Sequence, residues 1–293
     1  MQITDNEFPG LFQCADKASL NAQKKYFRSI ACYLILLILA AILSFIENFF
    51  DGAAIKICLT LIFLATLSIT IWTKIDKPDD IWYNGRAVAE SVKTRTWRWI
   101  MKADPYSNDN EEINRRLFIQ DLKTILEQNK NLIKLIGIGQ ALDEPISTEM
   151  STIRKLTLLE RFSLYKIERI TSQEAWYVRK AKFNKTKSIY WFITTIVLHV
   201  VAISCLLYNI KEPNLKLPVE IIVAIASSIL TWSQSKKHNE LHSSYSLAAH
   251  EIILIKNEVI DIHSEEDLSE FIINCENAFS REHTQWFARK IDN

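Results

Sequence analysis

The sequence predicts an all-α membrane protein, made of two tandem two-span helical hairpins whose long helices extend into a cytoplasmic helical bundle. Two observations lead there. Four apolar runs, Ile30 to Ile46, Ala53 to Trp72, Ile189 to Ile210 and Val219 to Trp232, form two close pairs separated by a long polar stretch. Charged residues are 24% of the 293-residue chain and concentrate outside those runs. A helix apolar on every side suits a bilayer, whereas a soluble core needs only one apolar stripe.

The first run begins behind a mixed polar stretch, too far from Met1 to resemble a cleaved signal peptide, and is expected to stay as a permanent span. The first three runs approach or exceed the roughly 17 to 25 residues that cross a bilayer. The fourth is shorter, carries Glu220 near its start, and is read as a span through its pairing with the third. Glu47 to Gly52 and Lys211 to Asn214 have the composition of tight turns, so each pair is a hairpin. Lys24, Lys25 and Arg28 precede the first span, Lys74 and Lys77 follow the second, Lys182, Lys185 and Lys187 precede the third, and Lys236 and Lys237 follow the fourth. Positive charge is retained on the cytoplasmic side, which puts both termini and the central region in the cytoplasm.

Between the hairpins, Pro78 is expected to end or kink the helix leaving the second span, with Asp79 and Asp80 capping the next, whose seam is Ile81, Val88, Val92 and Trp99. A helix opening at Asp109 puts Phe118, Leu122, Ile125, Leu126, Leu132, Ile133 and Ile136 on one face, until Gly137 and Gly139 stop it. Ser147 or Thr148 caps a helix with Ile153, Leu156, Leu159, Leu164, Ile167 and Ile170 on one face, expected to enter the third span unbroken. Beyond the fourth span, Leu241, Tyr245, Ala248, Ile252, Ile255, Val259 and Ile262 alternate steps of four and three, as in a coiled coil or bundle. Extended backward, the same steps meet His238, Gln234, Thr231, Ser227 and Ala224, a seam expected to run on into the membrane. Ser264 and Asp267 form a capping box for a last helix with Leu268, Ile272, Cys275, Phe279 and Trp286 on one face.

The halves resemble each other. Trp72 and Trp232 both close a second span, 232 − 72 = 160 positions apart, and Glu90 and Glu251 follow at 251 − 90 = 161. Near-equal offsets suggest duplication into parallel repeats of one orientation, with units at 1–144 and 145–293. Five scattered cysteines offer no disulfide or metal framework, five glycines leave no Gly-rich phosphate loop, and a net charge of +1 gives no pull toward nucleic acid. No enzyme, cofactor, metal or direct nucleic-acid binding is expected; the bilayer is the first partner.

Phe8-Pro9-Gly10-Leu11-Phe12, the stretch Ile81 to Thr94 containing Gly85-Arg86-Ala87-Val88-Ala89-Glu90, Trp97-Arg98-Trp99 with Pro105-Tyr106, and Glu174 to Ala181 resemble the SLATT family, the bacterial SMODS- and SLOG-associating two-transmembrane effector domains. The resemblance covers nearly the whole chain as two tandem units. It implies a multi-pass protein of the bacterial inner membrane, acting as a pore-forming or membrane-disrupting effector in anti-phage defence beside nucleotide-signalling or sensor partners. It brings no catalytic residues.

Polar positions at helical spacing inside the spans are candidate pore-lining or interhelical packing residues: Lys56, Thr60 and Thr70 in the second, Thr195 and His199 in the third, Glu220, Ser227, Thr231 and Gln234 in the fourth. For the small and hydroxyl positions packing is the favoured reading, and for His199 an interhelical hydrogen bond is favoured over a proton-sensitive gate. Arg86, Glu90 and Glu251 are structural or regulatory candidates, the glutamates expected to pair a basic residue of a neighbouring helix. Self-association belongs to the pore reading, because four short spans enclose little water. The rival readings are a membrane-anchored scaffold or signalling adaptor and a constitutive ion channel subunit.

Overall fold

The computed structural model describes residues 3–50, 52–130, 145–258 and 262–291, leaving out the side chains of 258 and 281–291. The described residues contain no strand. The helices in order are α1 (Gly10–Glu47), α2 (Ala53–Asp76), α3 (Pro78–Ile100), α4 (Glu111–Gln128), α5 (Thr148–Arg154), α6 (Leu158–Tyr165), α7 (Ser172–Lys211), α8 (Val219–Lys236), α9 (His238–Glu258) and α10 (Glu265–Ile291), with a π-helical segment, Lys166–Thr171, joining α6 to α7. Leu132, Ile133, Ile136, Gly137, Gly139, Val259 and the side chain of Trp286 lie outside the described residues.

Gly10–Glu47, Ala53–Ile100 and Leu158–Lys211 are long and apolar enough to cross a membrane. The 18-residue α8, which holds the fourth run and carries Glu220 and Lys236, is not among them. The chain forms two compact units, and each draws on both halves of the sequence.

The first compact unit comprises Met1–Gln23, Asp79–Lys180 and Ser244–Asn293. Its core gathers Phe8, Phe12, Val88, Val92, Trp97, Trp99, Phe118, Met150, Ile153, Tyr165, Ile252, Leu268 and Ile272. Local sequence sets the helix ends. Pro78 is the first residue of α3, where its missing N–H is no loss. Asn110 caps α4 by accepting from the Glu112 N–H, and Ser147 caps α5 by accepting from the Met150 N–H. Ser264 and Asp267 exchange the two bonds of a capping box at α10, at 3.1 and 2.9 Å, as expected, and Leu268, Ile272, Cys275 and Phe279 are buried behind it.

The helix expected to run unbroken from Thr148 instead stops at Lys155 and restarts at Thr157, whose hydroxyl and Glu160 form a second capping box. That break and the π-helical segment shift the phase. Leu159 and Ile167 are exposed, while Arg154, Arg161, Tyr165 and Arg169 turn inward with Ile153 and Ile170. From Leu158 the helix does continue into the third span.

The second compact unit comprises Lys24–Pro78 and Ala181–Ser243. Its outer surface is apolar, with Leu61, Phe63, Leu64, Phe192, Val197 and Leu207 all exposed, whereas small residues, Ala40, Thr66, Ala202, Ala226 and Ser228, are buried alongside Leu34, Asn184 and His238. Water cannot drive helices together in lipid, so close backbone approach through small residues does so. At the turns, the Lys216 ammonium donates to the Asn48 carbonyl at 2.7 Å and Lys56 pairs with Glu47 at 3.6 Å.

The duplication appears in the backbone as well. α2 and α8 both end on a left-handed lysine, Lys77 (φ 43°) and Lys237 (φ 49°), 237 − 77 = 160 positions apart. The N–H of each returns to a carbonyl four residues back, Thr73 and Ser233, both at 3.1 Å. A side chain with a Cβ rarely adopts this conformation, so its occurrence at matching places in both hairpins is a specific likeness. The break at Lys237 also interrupts the seam traced back from Leu241. Ala248 and Ile252 are buried as expected, but across the break Gln234, Thr231 and Ser227 are exposed, and Ala226 and Ser228 face inward in their place.

Candidate functional site

In the second compact unit the polar span residues divide into two groups. Thr60, Thr70 and Thr195 donate to carbonyls four residues earlier in their own helices, those of Lys56, Thr66 and Trp191, at 2.8, 2.9 and 2.9 Å. His199 is exposed, and its Nδ1 lies 2.7 Å from the Thr195 carbonyl of the same helix rather than across an interface. A hydroxyl bonded to its own backbone no longer needs an outside partner.

The fourth helix differs. Glu220, Ser227, Thr231 and Gln234 lie along α8 at seven-, four- and three-residue steps and are all exposed. Among the described residues, no group hydrogen-bonds their side chains. They are therefore brought onto one surface of the chain, but not packed within it.

At one end of the same unit, His238 is buried and its Nδ1 sits 2.8 Å from Oδ1 of Asn184 on α7, while His242 Nδ1 lies 3.1 Å from the Ala181 carbonyl. Burial first, then the Lys236 and Lys187 charges, hold the His238 pKa below its ordinary 6.5.

In the first compact unit the Gly-Arg-Ala-Val-Ala-Glu stretch closes α3 onto the start of α1. A Cβ on Gly85 would lie 3.0 Å from the Ala15 carbonyl oxygen and 3.1 Å from Ser19 Cβ, so only glycine permits this approach. Ser19 Oγ donates to the Trp82 carbonyl at 2.9 Å, and Ala89 is fully buried. Arg86 pairs with Glu90 one turn along at 2.6 Å and reaches Asp16 of α1 at 3.6 Å. Arg86 thus links Glu90 of its own helix to Asp16 of α1. Glu251 is half-buried on α9, where Lys256 binds Glu174 of α7 at 2.7 Å.

Sequence reasoning missed the polar interior of this unit. Arg169 (1% exposed) and Glu276 (0%) form a bidentate pair at 2.9 and 2.8 Å. Tyr165 and Thr94 each donate to the same carboxylate at 2.9 Å, and the guanidinium lies over the Phe279 ring, 4.6 Å from its centroid. Burial, then the Glu276 charge, pushes the adjacent Cys275 thiol pKa up, so it stays protonated. Arg161 donates to the Met101 carbonyl at 2.7 Å and to Glu265, and Arg154 to the Tyr106 carbonyl at 2.8 Å, to that of Trp99, and to Glu111 at 2.8 Å. Three arginines from consecutive helical segments thus hold the C-terminal end of α3, the loop after it, and α10. One signal was available: Glu276 lies four residues after Ile272 and three before Phe279, on the apolar face of α10, where a lone carboxylate requires a buried cation.

These features define a class, a helical membrane protein assembled from two-transmembrane units. Residues 9–162 match the family model described as SMODS and SLOG-associating 2TM effector domain 3, and residues 165–286 match SMODS and SLOG-associating 2TM effector domain 1. The chain belongs to this SLATT family, as two domains in tandem; SLATT domains are effector domains associated with SMODS and SLOG defence systems, which fits a membrane effector. No curated protein and no solved structure matches it.

Proposed function

We propose that several copies of this chain assemble in the bacterial inner membrane into a pore that permeabilises it during anti-phage defence, with α8 of each copy turned toward the water-filled centre. The observation that carries this reading is the exposed face Glu220, Ser227, Thr231 and Gln234, without partners among the described residues. A polar group left unsatisfied in hydrocarbon is unfavourable by several kcal/mol, on the order of 2–7 for an amide or hydroxyl. Water, or the same face of another copy, removes that penalty. Thr60, Thr70 and Thr195, whose hydroxyls donate to their own helices, make no such demand and serve as packing or lipid-facing positions. Both termini and the central region lie in the cytoplasm on this reading, the functional units are 1–144 and 145–293, and a nucleotide-signalling or sensor protein triggers opening through the first compact unit.

The test is ion flux from vesicles and membrane potential in cells. Ser227→Leu, Thr231→Leu and Gln234→Leu together should reduce flux about tenfold or more while membrane insertion is kept, since a pore lined by leucine dewets. Full polarisation under every activating condition, infection included, would sink the proposal. Retained activity after the hairpins are replaced by unrelated anchors would instead point to an adaptor.

A further inference from the structure

The second compact unit carries a cationic cluster that the pore reading does not use. Lys236 Nζ lies over the Phe27 ring of α1, 3.3 Å from its centroid, and over the Trp232 ring at 4.7 Å, and these two rings meet edge to face at 5.9 Å. Lys187 of α7 lies 5.8 Å from the Phe183 centroid and 5.7 Å from that of Tyr190. The Phe183 ring that carries Lys187 lies 6.3 Å from the His238 ring, two positions beyond Lys236, and the Asn184 side chain holds that imidazole, so both ammonium groups gather at one end of the hairpin. Among the described residues, no carboxylate pairs with Lys187 or Lys236, although Lys25 finds Asp76 at 3.9 Å and Lys237 finds Glu240 at 3.8 Å.

We infer that Lys187 and Lys236 form a binding site for the headgroup phosphate of an anionic phospholipid. Two cations held on aromatic faces at the end of a membrane hairpin leave positive charge uncompensated, which a phosphodiester monoanion would neutralise. Exposed Lys24, Arg28, Lys182 and Lys185 belong to the same stretches and extend the positive surface. A lipid is favoured over a dissolved phosphate because Phe183, Ile189, Tyr190 and Phe192 are also exposed beside the site, offering acyl chains an apolar wall that a free anion cannot use.

The experiment uses the full chain in a neutral detergent, its thermal unfolding followed as phosphatidylglycerol, phosphatidylcholine or inorganic phosphate is titrated. Phosphatidylglycerol should raise Tm by about 3–6 °C at saturation, as expected for a ligand that binds only the folded state, with little response to the other two. Lys187→Gln with Lys236→Gln should weaken the half-saturating phosphatidylglycerol concentration about tenfold, the loss of charge-assisted contacts, while Lys187→Arg with Lys236→Arg keeps it. Equal responses to the two lipids, or a Gln variant that responds like the native chain, overturn the inference. So does an equal response to inorganic phosphate. If the Gln variant does not fold, the native chain's three titrations decide the matter alone.

Discussion

In the first compact unit charge is taken inside and paired with charge, although Nη1 of Arg169 and Nε1 of Trp97 and Trp99 find no partner among the described residues. Glu276 receives bonds from Arg169, Tyr165 and Thr94, and Arg154 and Arg161 spend their donors on the carbonyls of Trp99, Met101, Tyr106 and Leu156 and on two glutamates. In the second, small side chains such as Ala40, Ala202 and Ala226 are buried, the Thr60 and Thr195 hydroxyls fold back onto their own helices, and His238 meets Asn184 across helices at one end. The contrast follows from the solvent. A unit bathed in water can reserve polar groups for its interior, where the ladder of bonds selects one packing over many. A unit bathed in hydrocarbon gains nothing from burying apolar bulk, and any polar group it leaves unsatisfied at the surface marks a place that does not face lipid. By that rule α8 is the unusual helix of the second unit.

The sharpest way to break this contrast is to remove Glu276. Glu276→Ala strands the Arg169 guanidinium, fully enclosed, and should destabilise the first unit by about 3–5 kcal/mol, read by denaturant unfolding of the full chain in detergent. Arg169→Met combined with Glu276→Leu should recover most of the loss, because an apolar pair avoids desolvating two charges. A single variant that unfolds like the native chain would mean that the buried network does not organise this unit.

The hairpins, the capping box at Ser264 and the seam of α3 were legible because each rests on local chemistry: span length, side-chain oxygens near free N–H groups, and three- and four-residue spacing. Phase was not legible. The face drawn through Leu159 and Ile167 assumed one unbroken helix, but the Thr157 cap and the π-helical segment rotate the buried side onto Arg161, Tyr165 and Arg169. Periodicity counts apolar residues and cannot register an arginine whose partner is more than a hundred positions away. The seam carried back from Leu241 failed for a similar reason. Lys237 takes a left-handed conformation that composition does not announce, and one such residue is enough to reset which side of a helix is inward.

A second test concerns close approach, which the first unit achieves with one glycine. Gly85→Ala gains about 0.5–1 kcal/mol of helix preference but places its Cβ 3.0 Å from the Ala15 carbonyl oxygen and 3.1 Å from Ser19 Cβ. Both neighbours are fixed to the α1 backbone, so neither can swing aside. Overpacking of this kind is unfavourable by about 1–3 kcal/mol, and the net expectation is a loss of stability with faster hydrogen exchange at the start of α1 and along α3. A variant as stable as the native chain would show that α1 can slide, and that the family-like stretch is kept for something other than this contact.

The smallest effect expected is a pH dependence confined to the second unit. His238 is buried against Asn184 and Phe183 of α7, with Lys187 on that helix and Lys236 on α8 the charges that bear on it. Burial and those two charges lower its folded pKa below the ordinary 6.5, so the neutral ring is the native form. Between that lowered value and 6.5 the unfolded chain binds the proton and the folded chain does not; stability therefore rises with pH through this window and is fully present above 6.5. Following Tm as the pH falls below 6.5 should show a decline that His238→Gln flattens. Adding phosphatidylglycerol should shallow the native slope, because a headgroup between Lys187 and Lys236 would offset the charges that keep the ring neutral. If His238→Gln leaves the slope unchanged, another group sets it; if the lipid leaves it unchanged while still raising Tm, the headgroup binds away from these two lysines.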